Sequence, residues 1–165
     1  ITVRAPLRMP DGAIRAFIEE RSAWIEKNLE KMRERKEEMQ PEPEEVLTVE
    51  EIRALAKEAA DYIPKRVSFY AEKIGVNYGR ITIRNQKSRW GSCSGRGNLN
   101  FNCLLMLTPP EIIDYVVVHE LCHRLEMNHS PYFWAKVECI LPDYKNRRKW
   151  LKTNGEKIMH RMTTD

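Results

Sequence analysis

No stretch of this 165-residue chain approaches the roughly 18 consecutive apolar residues of a membrane-spanning helix, so no membrane partner is expected. Nor does it open on the basic, apolar and small-residue pattern of a secretory leader, and the resulting expectation is a cytoplasmic location. Its first residue is Ile1 instead of Met, as expected of a trimmed or partial chain. Cysteine is scarce and scattered. Cys93, Cys103, Cys122 and Cys139 form no C-x-x-C pair, which excludes a zinc ribbon or a disulfide-dense scaffold and leaves reduced, mostly buried thiols. A large excess of either charge is also missing: a net +4 permits an anionic partner but gives only weak support to a nucleic acid. Nothing in these patterns specifies an oligomeric state. Without an internal repeat, and with 42% hydrophobic residues, the chain has material for one core and an appendage.

The appendage spans residues 1–46. Ile1 to Pro6 alternates like a short strand, and Pro10-Asp11-Gly12 then punctuates it before a helix. Ile14, Phe17, Ile18, Trp24, Ile25, Leu29 and Met32 recur near a 3.6 period, a stripe that packs against a neighbour. From Glu30 to Glu45 charge rises and Pro41 and Pro43 appear, so the helix gives way to a linker. Residues 47–165 form the main domain. Thr48-Val49-Glu50-Glu51 is a capping box for a helix ending at Gly75, with a kink expected at Pro64. Ile81–Arg84 and 98–102 read as strands of a small antiparallel sheet, turned at Ser94-Gly95-Arg96-Gly97. Thr108-Pro109-Pro110-Glu111 reads as another capping box, opening a helix that is apolar nearly all round and therefore central. Ser130-Pro131 starts the next helix, and Asp143 a last one ending near Gly155.

Inside the central helix stands His119-Glu120-Leu121-Cys122-His123, an HExxH motif. Residues four apart share a helix face, so both imidazoles aim at one point, as two ligands of a tetrahedral metal must. Glu120 is rotated by about 100° from His119, which puts it beside a metal, in reach of the water it would deprotonate. Two imidazoles and a carboxylate in an apolar helix are costly to bury without such compensation. Zinc, one per chain, is the expected metal. His129 is the preferred third ligand, ten residues after His119, a spacing that resembles the metzincins although their Gly is replaced by Glu126. Asn128 is expected to make that turn through a left-handed backbone. Glu138 and Glu126 remain rivals for the third place, imidazole being the commoner ligand. His160, near a polar terminus, reads as solvated.

Arg89-Trp90-Gly91-Ser92-Cys93, Leu99-Asn100-Phe101-Asn102, the run from Ile113 to His123, His129 and Phe133-Trp134 together resemble the YgjP-like metallopeptidase family, itself similar to the SprT-like and WLM zincins. The resemblance covers most of the chain, with the amino end of the usual domain missing. It implies a minimal zincin with His119, His123 and His129 as zinc ligands and Glu120 as base, and says much less about substrate.

Arg89, Trp90 and Ser92 are candidates to line the cleft and bind a carboxylate or phosphate; on the alternative reading Trp90 is core and Arg89 closes an ion pair. Asn100 and Asn102 are candidates to face an extended peptide along an edge strand, or to stabilise turns. Asp114 is weighed as a partner of a ligand imidazole but better suits a solvated helix position. Phe133 and Trp134 read as core, and Lys145, Arg147, Arg148, Lys149 and Lys152 as a solvated basic face.

The expected fold is α+β, a small antiparallel sheet packed on the HExxH helix with helices around it. The first expected function is zinc-dependent peptide hydrolysis, with a polypeptide or small anionic substrate. Two alternatives stay open: hydrolysis of a nucleotide phosphoanhydride, favoured by the arginines, and a zinc-stabilised binding module in which Glu138 closes the site and Glu120 is idle.

Overall fold

A computed structural model describes residues 5–6, 9–38 and 46–162. The chain forms two compact units, residues 1–40 and 41–165. The expected strand over 1–6 and the linker at 39–45 fall almost wholly outside the described residues. In the first unit, the apolar stripe is divided between two helices, α1 (Asp11–Glu20) and α2 (Ser22–Glu38), which break at Arg21. Ile14, Ile18, Ile25 and Leu29 are half-buried, whereas Phe17, Trp24 and Met32 are exposed.

The second unit begins with α3 (Val49–Ile74), whose capping box forms as expected: Glu51 N donates to Thr48 Oγ1 at 3.2 Å and Thr48 N to Glu51 Oε2 at 2.7 Å. The helix continues through Pro64 and ends at Gly75, whose φ of 77° favours a residue without Cβ. Three strands follow, β1 (Ile81–Arg84), β2 (Gly91–Cys93) and β3 (Leu99–Asn102), in the order β1-β3-β2. β2 is not among the strands expected from the sequence; it forms the antiparallel hairpin with β3 around the 94–97 turn, while β1 pairs with β3 in parallel instead of antiparallel, so the sheet is mixed. The cause lies in Asn102. Its Nδ2 donates to the carbonyls of Gln86 at 2.7 Å and Arg89 at 3.0 Å, fastening the 85–90 loop across the end of β3 before β2 begins.

A 3-10 turn (Cys103–Leu107) leads into α4 (Pro110–Cys122), followed by α5 (Pro131–Ile140) and α6 (Tyr144–His160). The capping box expected at Thr108 does not form. Thr108 Oγ1 donates to Leu105 O at 2.7 Å, and Pro109 takes the N-cap position. Nine of the thirteen α4 residues are buried, because the helix packs against α3, β2, α5 and α6. Leu99 and Phe101 of β3, Ile63 and Val67 of α3 and Phe133 and Val137 of α5 complete the core around it. α6 outruns its expected end at Gly155, which is buried mid-helix because a Cβ there would stand 3.1 Å from the Trp90 indole. Among the described residues, no helix is long and apolar enough to cross a membrane.

Asp114 is not the solvated residue expected from its helix position. Arg66 of α3 holds it with Nε on Oδ1 at 2.7 Å and a second bond at 2.9 Å, and Tyr70 donates to it at 3.0 Å. The bidentate pair ties α3 to α4 where both are largely buried. Asp114→Ala strands the guanidinium and the phenol, so we expect a loss of about 1–2 kcal/mol, with the pair's partial exposure limiting the effect. Urea unfolding reads it as a lower midpoint at unchanged slope; an unaltered midpoint would remove Asp114 from the fold's supports.

Candidate metal centre

The last two turns of α4 put His119 and His123 on one face, with His123 at the C-cap. A tight turn follows, in which Arg124 N donates to Leu121 O at 2.9 Å and Glu126 N to Cys122 O at 3.0 Å. Asn128 does not make the return through left-handed backbone: no described residue other than glycine has positive φ. Instead its Oδ1 accepts from Ser130 N at 2.9 Å, an Asx turn that delivers His129 just before Ser130 caps α5.

The three imidazoles converge, with one nitrogen from each within 4.8 Å of the others. His119 Nε2 and His129 Nε2 are 3.0 Å apart, close to the roughly 3.3 Å that separates two nitrogens on a tetrahedral zinc with bonds of about 2.0–2.1 Å. His123 Nδ1 donates to Glu126 O at 3.1 Å, which leaves its Nε2 as the lone-pair nitrogen. Glu126 therefore contributes its backbone carbonyl here. The buried Nδ1 of His119 has no hydrogen-bond partner. Packing orients that ring, with Tyr115 at 5.9 Å, Phe133 at 4.9 Å and Trp134 at 5.7 Å between centroids. Phe133 touches all three imidazoles, at 4.6 to 4.9 Å. Burial, helped by His123 and His129, pushes the His119 pKa down to about 3, and burial also lowers that of His123. Convergent imidazoles, two of which resist protonation, fit a divalent metal. Glu138 stands apart, exposed and paired with Lys145 at 3.0 Å.

Glu120 lies beside this cluster, 6% exposed, and burial raises its pKa to about 8. Gly91 makes room for it: a Cβ there would fall 2.8 Å from Glu120 Cγ and Oε1. Gly91 stands within the Arg89–Cys93 motif, where residue order alone assigns it no role. Two cavities of about 250 and 240 Å³ share Arg89, Gly91, His119 and Glu120. The first adds His123, His129, Ser92, Cys93 and Met127; the second adds Ser88, Trp90, Tyr115, Val116 and Leu151.

Arg89, Trp90 and Ser92 thus line the cavities, while Asn100 and Asn102 do not. β3 is the inner strand. Asn100 bridges Ser92 and Arg84 across the sheet, and Asn102 is fully buried as the fastening of the 85–90 loop. Phe133 is core as expected, and Trp134 packs partly buried beside it. Of the basic stretch, Lys145 and Arg147 pair with Glu138 and Asp143, but Arg148 lies 4.4 Å over the Trp134 ring and its charge reaches His119 and Tyr115. Tyr115, Phe133 and Arg148 are neighbours of the site that sequence reasoning had assigned to core or solvent. Tyr115 and Phe133 had a legible signal, since each lies four residues from a histidine of the cluster.

These shifts predict the pH response of chelator-treated protein. Between about 4.5 and 8 folded Glu120 keeps a proton that the unfolded chain releases, so stability falls as pH rises through that window. Between about 3 and 6.5 the unfolded chain protonates His119 while the folded ring resists, so stability falls as pH drops. The two slopes cancel where they overlap, leaving a plateau with a decline on each side. Glu120→Gln is expected to raise the thermal midpoint near pH 8 and to leave it unchanged near pH 4. A wild-type midpoint that stays level from neutral to alkaline pH contradicts the buried, protonated carboxyl.

The family model described as "YgjP-like, metallopeptidase domain" matches residues 1–54 and 42–154. Among solved structures, the metallopeptidase zymogen of Pyrococcus abyssi abylysin is similar at 21% identity and TM-score 0.51, over 56% of this chain and 93% of that one. The zymogen of Methanocaldococcus jannaschii jannalysin is similar at 19% identity and TM-score 0.50, over 56% and 95%. At such identities the likeness is one of fold. No curated protein matches significantly. With a match that spans residues 1 to 154 and an α+β fold shared with these metallopeptidases, the chain belongs to the YgjP-like metallopeptidase-domain family.

Proposed function

We propose that the chain is a zinc-dependent peptidase in which His119, His123 and His129 hold one zinc and Glu120 is the general base. The observation that carries this reading is the convergence of three imidazoles beside a buried carboxyl that takes no part in their cluster. Bound there, zinc would supply a Lewis acid for the scissile carbonyl, acidify water and draw the Glu120 pKa down from about 8. Glu120 takes a proton from the attacking water and delivers it to the leaving amine. Gly91 keeps that carboxyl in place, since a larger residue would push it aside.

The peptide runs along β2, the cavity's own edge strand, and not along Leu99–Phe101, because β3 already spends its hydrogen bonds on both neighbours. Arg89, at the wall of both cavities, is the observation that favours phosphoanhydride hydrolysis as a second reading. The closed binding module lacks its fourth ligand, Glu138 being engaged with Lys145.

Metal analysis after mild purification is expected to find one zinc per chain, lost in His123→Ala. Glu120→Gln should retain zinc and fold and lose on the order of a hundredfold or more in rate; loss of zinc instead would make Glu120 a ligand. Zinc-loaded protein is then offered unfolded polypeptides and nucleoside triphosphates. Polypeptide cleavage that persists in Arg89→Ala supports the peptidase reading. Triphosphate turnover abolished by both Arg89→Ala and Glu120→Gln, without peptide cleavage, replaces it with the second.

A further inference from the structure

Tyr115 lies one turn before His119, so its side chain shares the face of α4 that carries the site. The ring is 5% exposed and meets the His119 imidazole edge to face, 5.9 Å between centroids at 65°. Core packing accounts for the ring but not for its hydroxyl. Buried phenols ordinarily bond their hydroxyl, as Tyr70 does in donating to Asp114 at 3.0 Å. Tyr115 has no hydrogen bond among the described residues. It borders the same cavity as His119 and Glu120, with Trp90, Val116 and Leu151 as the apolar walls. Glu120 and Arg148 are the charges that act on it, from α4 itself and from α6.

A donor without a protein partner at the wall of the cavity that holds the base is placed to meet charge that develops during reaction, and such a donor costs no reorganisation. We propose that Tyr115 is a catalytic residue whose hydroxyl donates a hydrogen bond to the oxyanion formed when water adds to the scissile carbonyl. This rests on the peptidase reading. Water's oxygen bonds to the carbonyl carbon, the carbonyl π electrons move to oxygen, and Glu120 takes the released proton. The phenol keeps its own proton throughout, since it only donates a hydrogen bond. The donation strengthens only as the oxygen becomes an anion, so it acts on kcat more than on KM.

Tyr115→Phe removes the hydroxyl and keeps the ring against His119. In the zinc-loaded protein acting on an unfolded polypeptide, kcat is expected to fall about tenfold to a hundredfold, with KM within about threefold. Zinc content and thermal midpoint should match wild type. A phosphinic pseudopeptide with alanine and leucine flanks, whose tetrahedral oxygens mimic the oxyanion, should bind the variant more weakly by a similar factor in calorimetry. Unchanged kcat with unchanged pseudopeptide affinity overturns the assignment. So does a rate loss accompanied by lost zinc or a lowered midpoint, which is the mark of a structural role. If wild-type protein cleaves no polypeptide, the peptidase reading fails first. Pseudopeptide binding then decides alone: weaker binding by Tyr115→Phe upholds the donor, while equal or absent binding refutes it.

Discussion

Two imidazoles and a carboxyl on one helix must be buried on nearly every side and still reach a common open point, and the remaining elements answer that demand. α4 is apolar enough to be enclosed by α3, α5, α6 and β2, yet His119, Glu120 and His123 still border a common cavity. Desolvation then sets the chemistry. The same burial that lowers the His119 pKa to about 3 raises that of Glu120 to about 8, so the His119 imidazole presents a lone pair while the neighbouring carboxyl holds its proton up to neutral pH.

Two glycines show how tightly the site is coupled to the surrounding packing. Gly91 leaves space for the Glu120 carboxyl, and Gly155, on α6, leaves space for the Trp90 indole next to it. A side chain on α6 at that position would press on the Trp90 indole, and Trp90 adjoins the residue against which the Glu120 carboxyl rests. A distant helix thereby shares in placing a single carboxyl. On the opposite side Phe133 touches all three imidazoles, and Trp134 stacks on both His129 and Tyr144 beneath the Arg148 guanidinium. Shape more than hydrogen bonding orients the histidines, since among the described residues only His123 has a protein oxygen on its second ring nitrogen.

The sheet is small but decides which backbone faces the cleft. By fastening the 85–90 loop with its side-chain amide, Asn102 sends the chain over the end of β3 and returns it as β2 on the far edge. Arg89, Gly91, Ser92 and Cys93 consequently border the cavities, although the 99–102 strand carries the stronger apolar alternation.

Patterns within one element were legible from residue order alone. The α3 capping box and its Gly75 stop, the apolar wrap of α4, the HExxH face and the α+β class follow from the helical and strand periods, which are local properties of the chain. The family, too, could be read from its motifs. Tertiary structure alone decided that β1 runs parallel to an inner β3, that Asp114 pairs with Arg66, that α6 continues past Gly155, and that His129 rather than Glu138 stands beside the histidine pair. Each of these joins residues far apart in sequence or turns on which carboxylate another side chain has already claimed. Local periodicity cannot encode such choices, because they are competitions settled only when distant surfaces are brought together and desolvated.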